Sequence, residues 1–300
     1  MKKAMARGFE GKTNFNITMN VNDLIKASRY STLHRLGWSE HEVTERIYSE
    51  IKMTREANFV KALQKYNDIK NKLILDVGCG ISGFVVQLGL NGAKVIGIEP
   101  SREYSIIVQE RITKYNLKDT CQCIRDSGEI LPLPDDTFDY VICFSVLEHT
   151  NNPYSVIKEI IRVTKPNGII FIHTENYFAF WEPHYRILWF PLMPKNLAKF
   201  YLRLRGRDPY FFENHITYTT FLSLLRYIKK LGNVIDLSRI SIEQKIRNPE
   251  SIQSPFKRFA VHTSKALRLS KTLSSFIYFI LFMRNIMKSS VVFNLKKINR

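Results

Sequence analysis

The run Leu73-Ile-Leu-Asp-Val-Gly-Cys-Gly-Ile-Ser-Gly83 constrains this chain more than any other stretch. An apolar strand that ends in Asp76 and breaks into Gly78, Gly80 and Gly83 predicts a strand, a sharp turn and a helix starting near Phe84. Glycine lets the backbone turn, and lets a ligand touch bare main chain where a Cβ would collide with it. The unpaired N–H groups of the following helix point at whatever sits in the turn. The pattern describes a cradle for a nucleotide-like cofactor.

The residues around the glycines narrow the choice of ligand. The spacing 78, 80, 83 satisfies G-x-G-x-x-G, and Glu99 closes the next strand, Lys94-Val-Ile-Gly-Ile-Glu99, about where a dinucleotide enzyme places its ribose-binding acid. A nicotinamide coenzyme is therefore one reading. Against it, Asp76 would lie close to a pyrophosphate, and confining two negative groups together is costly. The same carboxylate suits a ligand that carries an ammonium and a sulfonium and no phosphate. S-adenosylmethionine is such a ligand.

From Leu73 to Thr174 the chain resembles the class I S-adenosylmethionine-dependent methyltransferases. The resemblance rests on an ordered set of motifs: Asp76-Val-Gly-Cys-Gly80, Val95-Ile-Gly-Ile-Glu-Pro100, Arg125-Asp126, Leu131-Pro-Leu-Pro-Asp-Asp-Thr-Phe-Asp139, Val141-Ile-Cys-Phe-Ser-Val-Leu-Glu-His149 and Arg162-Val-Thr-Lys-Pro-Asn-Gly168. It implies that Gly78 and Gly80 pack against the methionine part of the cofactor. By the same resemblance Glu99 takes both ribose hydroxyls, and Asp126 with the backbone at Ser127 reads the adenine amino group. Asp126 is one residue further from Leu131-Pro132 than the usual pattern has it.

The hydrophobic patterning agrees. Short Val/Ile-rich segments at about 72–77, 94–98, 120–125, 138–144 and 168–174 alternate with helical stretches, the signature of a parallel sheet covered on both faces. Ser101 is placed to cap a helix reaching Tyr115, and Pro153 to open one over 153–163 that stops before Lys165-Pro-Asn-Gly168. A further helix is expected at about 220–231, with strands six and seven near 233–239 and 257–263. The expected fold is α/β and Rossmann-like: seven mostly parallel strands, helices on both faces, an N-terminal helical extension and a C-terminal basic and apolar helical tail. Ligands of such sheets lie at the carboxyl ends of the strands, where Asp76, Glu99, Asp126 and Ser145 all fall. The expected organisation is an extension over 1–71, a catalytic domain over 72–264 with an insertion at about 177–216, and a tail over 265–300.

Three hundred residues with 45% hydrophobic content suit one enlarged domain. The net charge of +18 is unevenly placed. Residues 72–180 hold 10 basic against 13 acidic side chains, whereas 245–300 hold 12 against one. Leu273 to Met283 is strongly apolar, is bounded by Lys271 and Arg284, and is too short to cross a bilayer as a helix. An apolar helix with basic flanks suits an anionic membrane surface, and it equally suits burial against the domain. Cys79, Cys121, Cys123 and Cys143 all lie in or beside predicted strands. With no secretory signal read at the start, the expected setting is the cytosol, peripheral to the inner membrane face if the tail docks there, and disulfides are not expected. The Asn16-Ile-Thr18 glycosylation pattern is then accidental.

Residues 20–70 read as helical, with Ser39-Glu-His-Glu42 as a capping box, and Tyr30, His34 and Trp38 are candidates for a lid over the cofactor. The segment Tyr177 to Pro194 is dense in aromatics and prolines, the kind of surface that stacks on sugars or walls in a lipid tail. Its Glu-Pro-His-Tyr…Pro-Leu-Met-Pro pattern resembles bacterial methyltransferases that accompany polysaccharide and glycolipid assembly. If the acceptor is a hydroxyl, a base must take its proton, and His149 and then His184 are the candidates. Glu148 is a candidate to orient the substrate or cap the next helix. No metal is required, and no ligand cluster argues for one.

These features predict a methyltransferase acting on oxygen of a glycan, glycolipid or other lipid-linked small molecule at the cytoplasmic membrane face. An RNA methyltransferase and a non-catalytic cofactor-binding scaffold are the alternatives. Nucleic acid is disfavoured because Cys143-Phe-Ser-Val146 stands where amino-methylating enzymes carry Asn/Asp-Pro-Pro-aromatic, and Asn151-Asn-Pro-Tyr154 comes too late in the chain.

Overall fold

The computed structural model describes residues 20–65, 68–237 and 289–298. Three helices come first: α1 (Val21–Arg35), α2 (Glu40–Lys52) and α3 (Thr54–Gln64). Asn20 accepts from the backbone N–H groups of Asn22 and Asp23 to start α1, and Ser39 with Glu42 closes the reciprocal capping box of α2. The apolar register of 43–63 is broken at Met53, which takes a left-handed conformation (φ 54°) and is buried. Left-handed backbone costs a non-glycine residue about 1–2 kcal/mol, which burial of the Met53 side chain offsets.

The sheet then follows: β1 (Leu73–Val77), α4 (Gly83–Leu90), β2 (Lys94–Ile98), α5 (Arg102–Lys114), β3 (Cys121–Ile124), β4 (Phe138–Phe144), α6 (Pro153–Val163) and β5 (Thr164–Glu175). Ser101 caps α5, and Asn152 caps α6 with Pro153 in the first turn. After β5 come a small hairpin, β6 (Trp181–Glu182) and β7 (Ile187–Leu188), and the helices α7 (Lys195–Leu204), α8 (Tyr210–His215) and α9 (Phe221–Leu231). The strands β8 (Val234–Asp236) and β9 (Ser290–Lys297) complete the sheet in the order β3-β2-β1-β4-β5-β9-β8. β9 runs antiparallel to both neighbours, and the other pairings are parallel.

Alternation along each strand divides the core between the two faces. Leu75, Val77, Val141, Ile170 and Phe293 pack with α6 and α9, whereas Ile74, Val95 and Ile142 pack with α3, α4 and α5. The motif Leu131–Asp139 is held to α6 by one arginine. Arg162 donates to the carbonyls of Leu131 and Leu133, and Glu159 accepts from the backbone N–H of Leu131.

One expectation needs correction. Residues 290–297, read as part of a basic helical tail over 265–300, form β9, with Val291, Phe293 and Leu295 buried and the Phe293 ring stacked on Phe221 at 5.4 Å. Lys297 is spent on the sheet, donating to Asp136 and to the carbonyls of Arg162 and Thr164. The alternation Val291, Phe293, Leu295 is the period-2 signal of a strand, masked in the sequence by the lysines that follow it. Strand six, expected at 233–239, is β8. The strand expected at 257–263, the apolar segment 273–283 and Asn16 lie outside the described residues. No helix among the described residues is long and apolar enough to cross a membrane.

Candidate active site at the switch point of the sheet

Strand order reverses at β1, so the loops leaving β1 and β4 diverge and open a crevice at their carboxyl ends. The loop after β1 folds tightly, with Ser82 N–H bonded to the Cys79 carbonyl and Cys79 N–H to that of Ile98. Gly78 and Gly80 are both left-handed (φ 66° and 56°). They differ in what surrounds them. A Cβ at Gly78 would lie 2.4 Å from Val146 Cγ2, so Gly78 is where the β1 loop touches the β4 loop. A Cβ at Gly80 would meet no atom within 4 Å among the described residues, as a loop shaped to receive a ligand requires.

Three carboxylates face this loop. Glu99, at the end of β2, accepts from Gly80 N–H and Ser101 N–H, both at 2.8 Å. Each of its oxygens keeps a lone pair for a ribose hydroxyl. Burial nevertheless raises its pKa against those two bonds. Asp76 is buried; Ser82 Oγ donates to it at 3.1 Å and accepts from Val85 N–H. Its pKa is pushed up to about 7, first by burial and then by the nearby Glu56 and Glu99 charges, while the Ser82 bond and Arg55 oppose the rise. Glu56 comes from α3, whose carboxyl packs against Gly83. A pocket with this excess of buried acid disfavours phosphate and favours a cation. Such a set of acids suits the positively charged methionine end of S-adenosylmethionine better than a phosphate-bearing coenzyme.

The remaining expected contacts lie along the same strand ends. Asp126 is exposed after β3, its carboxylate accepting from Ser127 N–H. Ser145 follows β4 with φ 57° and donates its N–H to the His173 carbonyl, which sets the direction of the β4 loop. Of the expected lid residues, Tyr30 and His34 instead bond Glu40 at the surface, whereas Trp38 donates to the His184 carbonyl at 2.7 Å. Trp38 braces the insertion, and α3 supplies the groups nearest the loop. Arg111, buried beneath, donates to the carbonyls of Ile81 and Glu50 and ties the loop to α2.

Beyond Val146 the chain makes a single 3-10 turn, Leu147–His149, and here the two candidate histidines meet. Their ring centroids are 5.2 Å apart, although 35 residues separate them in sequence. His149 Nδ1 lies 2.9 Å from the His215 carbonyl. A carbonyl only accepts, so Nδ1 carries the hydrogen and Nε2 keeps the lone pair whenever the ring is neutral. The ring is reached by solvent from the cleft yet set deep among protein atoms, and that desolvation lowers its pKa despite the opposing Glu148 charge. His184 Nδ1 lies 2.8 Å from Glu182 Oε1. Desolvation works against its charge, but Glu182, with Glu148 and Glu175 behind it, raises its pKa.

Of the acids behind these rings, residue patterns singled out Glu148 but not Glu175, nor the part Glu182 plays. Glu148 is wholly buried; Oε2 accepts from Thr174 Oγ1 at 2.6 Å, and Oε1 has no partner among the described residues. It therefore does not cap α6, a role that Asn152 fills. A buried polar atom left unsatisfied costs about 1–3 kcal/mol, more for a charged group. Glu182, also wholly buried, accepts from Tyr177 OH and Tyr185 N–H as well as His184. Glu175, at the end of β5, has its pKa pushed to about 7 by burial and by Glu148. The motif Glu182-Pro-His184 in the insertion was the available signal; its link to Glu148 is visible only in three dimensions.

A methyltransferase-domain family model matches residues 75–172. Demethylmenaquinone methyltransferase of Geobacillus stearothermophilus is 30% identical over 187 residues, covering 59% of this chain and 79% of that protein. Sterol 4-C-methyltransferase of Caenorhabditis elegans is 30% identical over 40% of this chain and 37% of its own length. A ubiquinone biosynthesis O-methyltransferase of Chromobacterium violaceum is 28% identical over 52% of this chain and 65% of its own. The chain thus spans just over a third of the sterol relative and just under two thirds of the ubiquinone one. In fold it is like the putative sarcosine dimethylglycine methyltransferase of Galdieria sulphuraria, with TM-score 0.52 at 13% identity over 92% of this chain and 98% of that one. The acid-lined glycine loop, the seven-stranded sheet and the match over most of a known enzyme agree: this chain belongs to the class I S-adenosylmethionine-dependent methyltransferases.

Proposed function

We propose that the protein transfers a methyl group to an oxygen of a lipid-like small molecule, a glycolipid or other lipid-linked acceptor, at a membrane face. Bound S-adenosylmethionine supplies the methyl group on a sulfonium, already activated for in-line displacement. The protein's own work is then to align the acceptor, exclude water and receive a proton. The observation that carries the reading is the fixed tautomer of His149. His149 belongs to the 3-10 turn that follows Val146, the residue that meets Gly78, so its Nε2 lone pair would serve a hydroxyl brought to that turn. The lowered pKa of His149 keeps that lone pair free at neutral pH.

The insertion supports a lipid-like acceptor. Tyr185, Trp189 and Phe212 form its buried core, while Phe180, Trp181, Leu188, Phe190, Phe200 and Leu204 are left exposed on the hairpin, the loop after it and α7. Apolar side chains in such number on one segment, next to Arg203 and Arg205, suit the headgroup boundary of an anionic bilayer. The relatives named for sterol, ubiquinone biosynthesis and demethylmenaquinone point to acceptors of the same character.

The test is transfer of radiolabel from methyl-labelled cofactor into fractionated cell extract. The reading expects label in the organic-phase lipid or glycolipid fraction and its loss in His149→Ala. Label confined to RNA, or cofactor binding with no transfer to any fraction, overturns it. Replacing Phe200 and Leu204 with Ser should reduce sedimentation with anionic liposomes while leaving the melting temperature unchanged.

A further inference from the structure

We propose that Glu148, His149 and His184 form a binding site for a divalent transition metal of the zinc type, open to the acceptor cleft. One donor atom from each residue lies within 4.8 Å of the other two. Tetrahedral coordination with bonds of about 2.1 Å needs donors about 3.4 Å apart, so small side-chain rotations bring the three onto one ion. Two imidazoles and a carboxylate select zinc and its neighbours over magnesium or calcium, which prefer oxygen alone.

Proximity is the weaker half of the argument, and the groups behind the donors are the stronger. Each candidate ligand is already oriented by a second group. His149 gives its Nδ1 hydrogen to the His215 carbonyl, and His184 gives its own to the Glu182 carboxylate, which leaves both Nε2 atoms as donors. Metal-bound histidines are held in this way. Glu148 is fastened through Oε2 to Thr174, while Oε1 is buried and unpartnered among the described residues. A cation at the corner gives that oxygen the partner it lacks. Glu182 is in turn anchored by Tyr177 and Tyr185, so the whole arrangement is built into the insertion.

Three protein ligands leave a fourth coordination position for an oxygen of the acceptor. A hydroxyl coordinated there would be acidified by the ion and release its proton to water. In the loaded protein His149 then holds the ion, and in the metal-free protein it accepts the proton.

Metal binding is testable without turnover. The full chain, stripped with chelator, is titrated with zinc chloride by calorimetry and with cobalt(II) by visible absorption. One equivalent is expected, with a cobalt spectrum showing nitrogen and oxygen ligands and no thiolate charge-transfer band. His149→Ala should weaken binding at least 100-fold, and Glu182→Gln, which changes only the group behind His184, by 10- to 100-fold. Retained cofactor affinity in His149→Ala, whose ring is at the surface of the cleft, shows that the variant is folded. Absence of binding in the wild type, unchanged binding in His149→Ala, or loss only in Cys123→Ser, whose sulfur lies 4.0 Å from that of Cys79, overturns the site. Because cofactor binding is measured separately, failure here leaves the methyltransferase reading standing.

Discussion

Asp76 offers the sharpest test of the cofactor pocket, because one buried carboxyl links pH to both stability and affinity. Its pKa in the folded, ligand-free protein is about 7, against about 3.9 for an unfolded chain. Between these values the folded state binds the extra proton, so the contribution of Asp76 is fully present below about pH 4 and is lost as pH rises to 7. Three pKa units correspond to about 4 kcal/mol of destabilisation at pH 8. A cationic ligand reverses the preference, since it binds the ionised form. The ionised fraction rises from about 3% at pH 5.5 to about half at pH 7, so S-adenosylmethionine affinity should rise roughly 15-fold, or ~1.6 kcal/mol, over that interval. Calorimetric titrations at both pH values measure it. Asp76→Asn, which keeps an acceptor for Ser82, should flatten most of the slope, bind the cofactor at least tenfold more weakly at pH 7, and melt at a higher temperature than wild type at pH 8. Wild-type affinity that is flat with pH, or undiminished in Asp76→Asn, would refute the assignment of a cation beside this carboxyl.

Further outcomes follow from the same loop and from the sheet. Glu99→Ala removes a charged acceptor from Gly80 and Ser101 N–H; at about 1.5–3 kcal/mol for each such bond, cofactor affinity should fall 100-fold or more by calorimetry. Gly78→Ala forces a Cβ against Val146 in left-handed backbone and should lower the melting temperature further than Gly80→Ala, which carries the same backbone strain but meets no atom within 4 Å among the described residues and should act more on cofactor binding. Deleting residues 289–300 takes β9 from between β5 and β8, leaving both without that partner, and removes the buried Val291, Phe293 and Leu295, worth about 1.5–3 kcal/mol each. The product should be insoluble or lack a cooperative melt, and a folded, cofactor-binding truncation would show that β9 is dispensable.

Strands β1 to β5, their helices, the caps at Ser39 and Ser101 and the helix start at Pro153 were legible because each rests on a period or a local signal within a few residues. The last strand was not. Residues 290–297 pair with β5 across more than a hundred residues, and their one local signal, the alternation of Val291, Phe293 and Leu295, is too short beside the lysines to separate a strand from a basic amphipathic tail. The N-terminal extension was legible only as helix. Tyr30 and His34 look outward to Glu40, and it is Glu56, in the less conspicuous α3, that packs against Gly83.

By itself the sequence determined a parallel sheet, a glycine turn set between acids, and hence a pocket for a positively charged cofactor, since these depend on residue type and short spacing. Tertiary structure alone decided that His184 faces His149, that Glu148 is buried with one oxygen unpartnered among the described residues, and that Glu182 stands behind the second ring. The reason is physical. Desolvation, tautomer choice and ligand geometry depend on what lies within a few ångströms in space, and the insertion that brings His184 to the end of β4 is positioned by its own aromatic core and by Trp38.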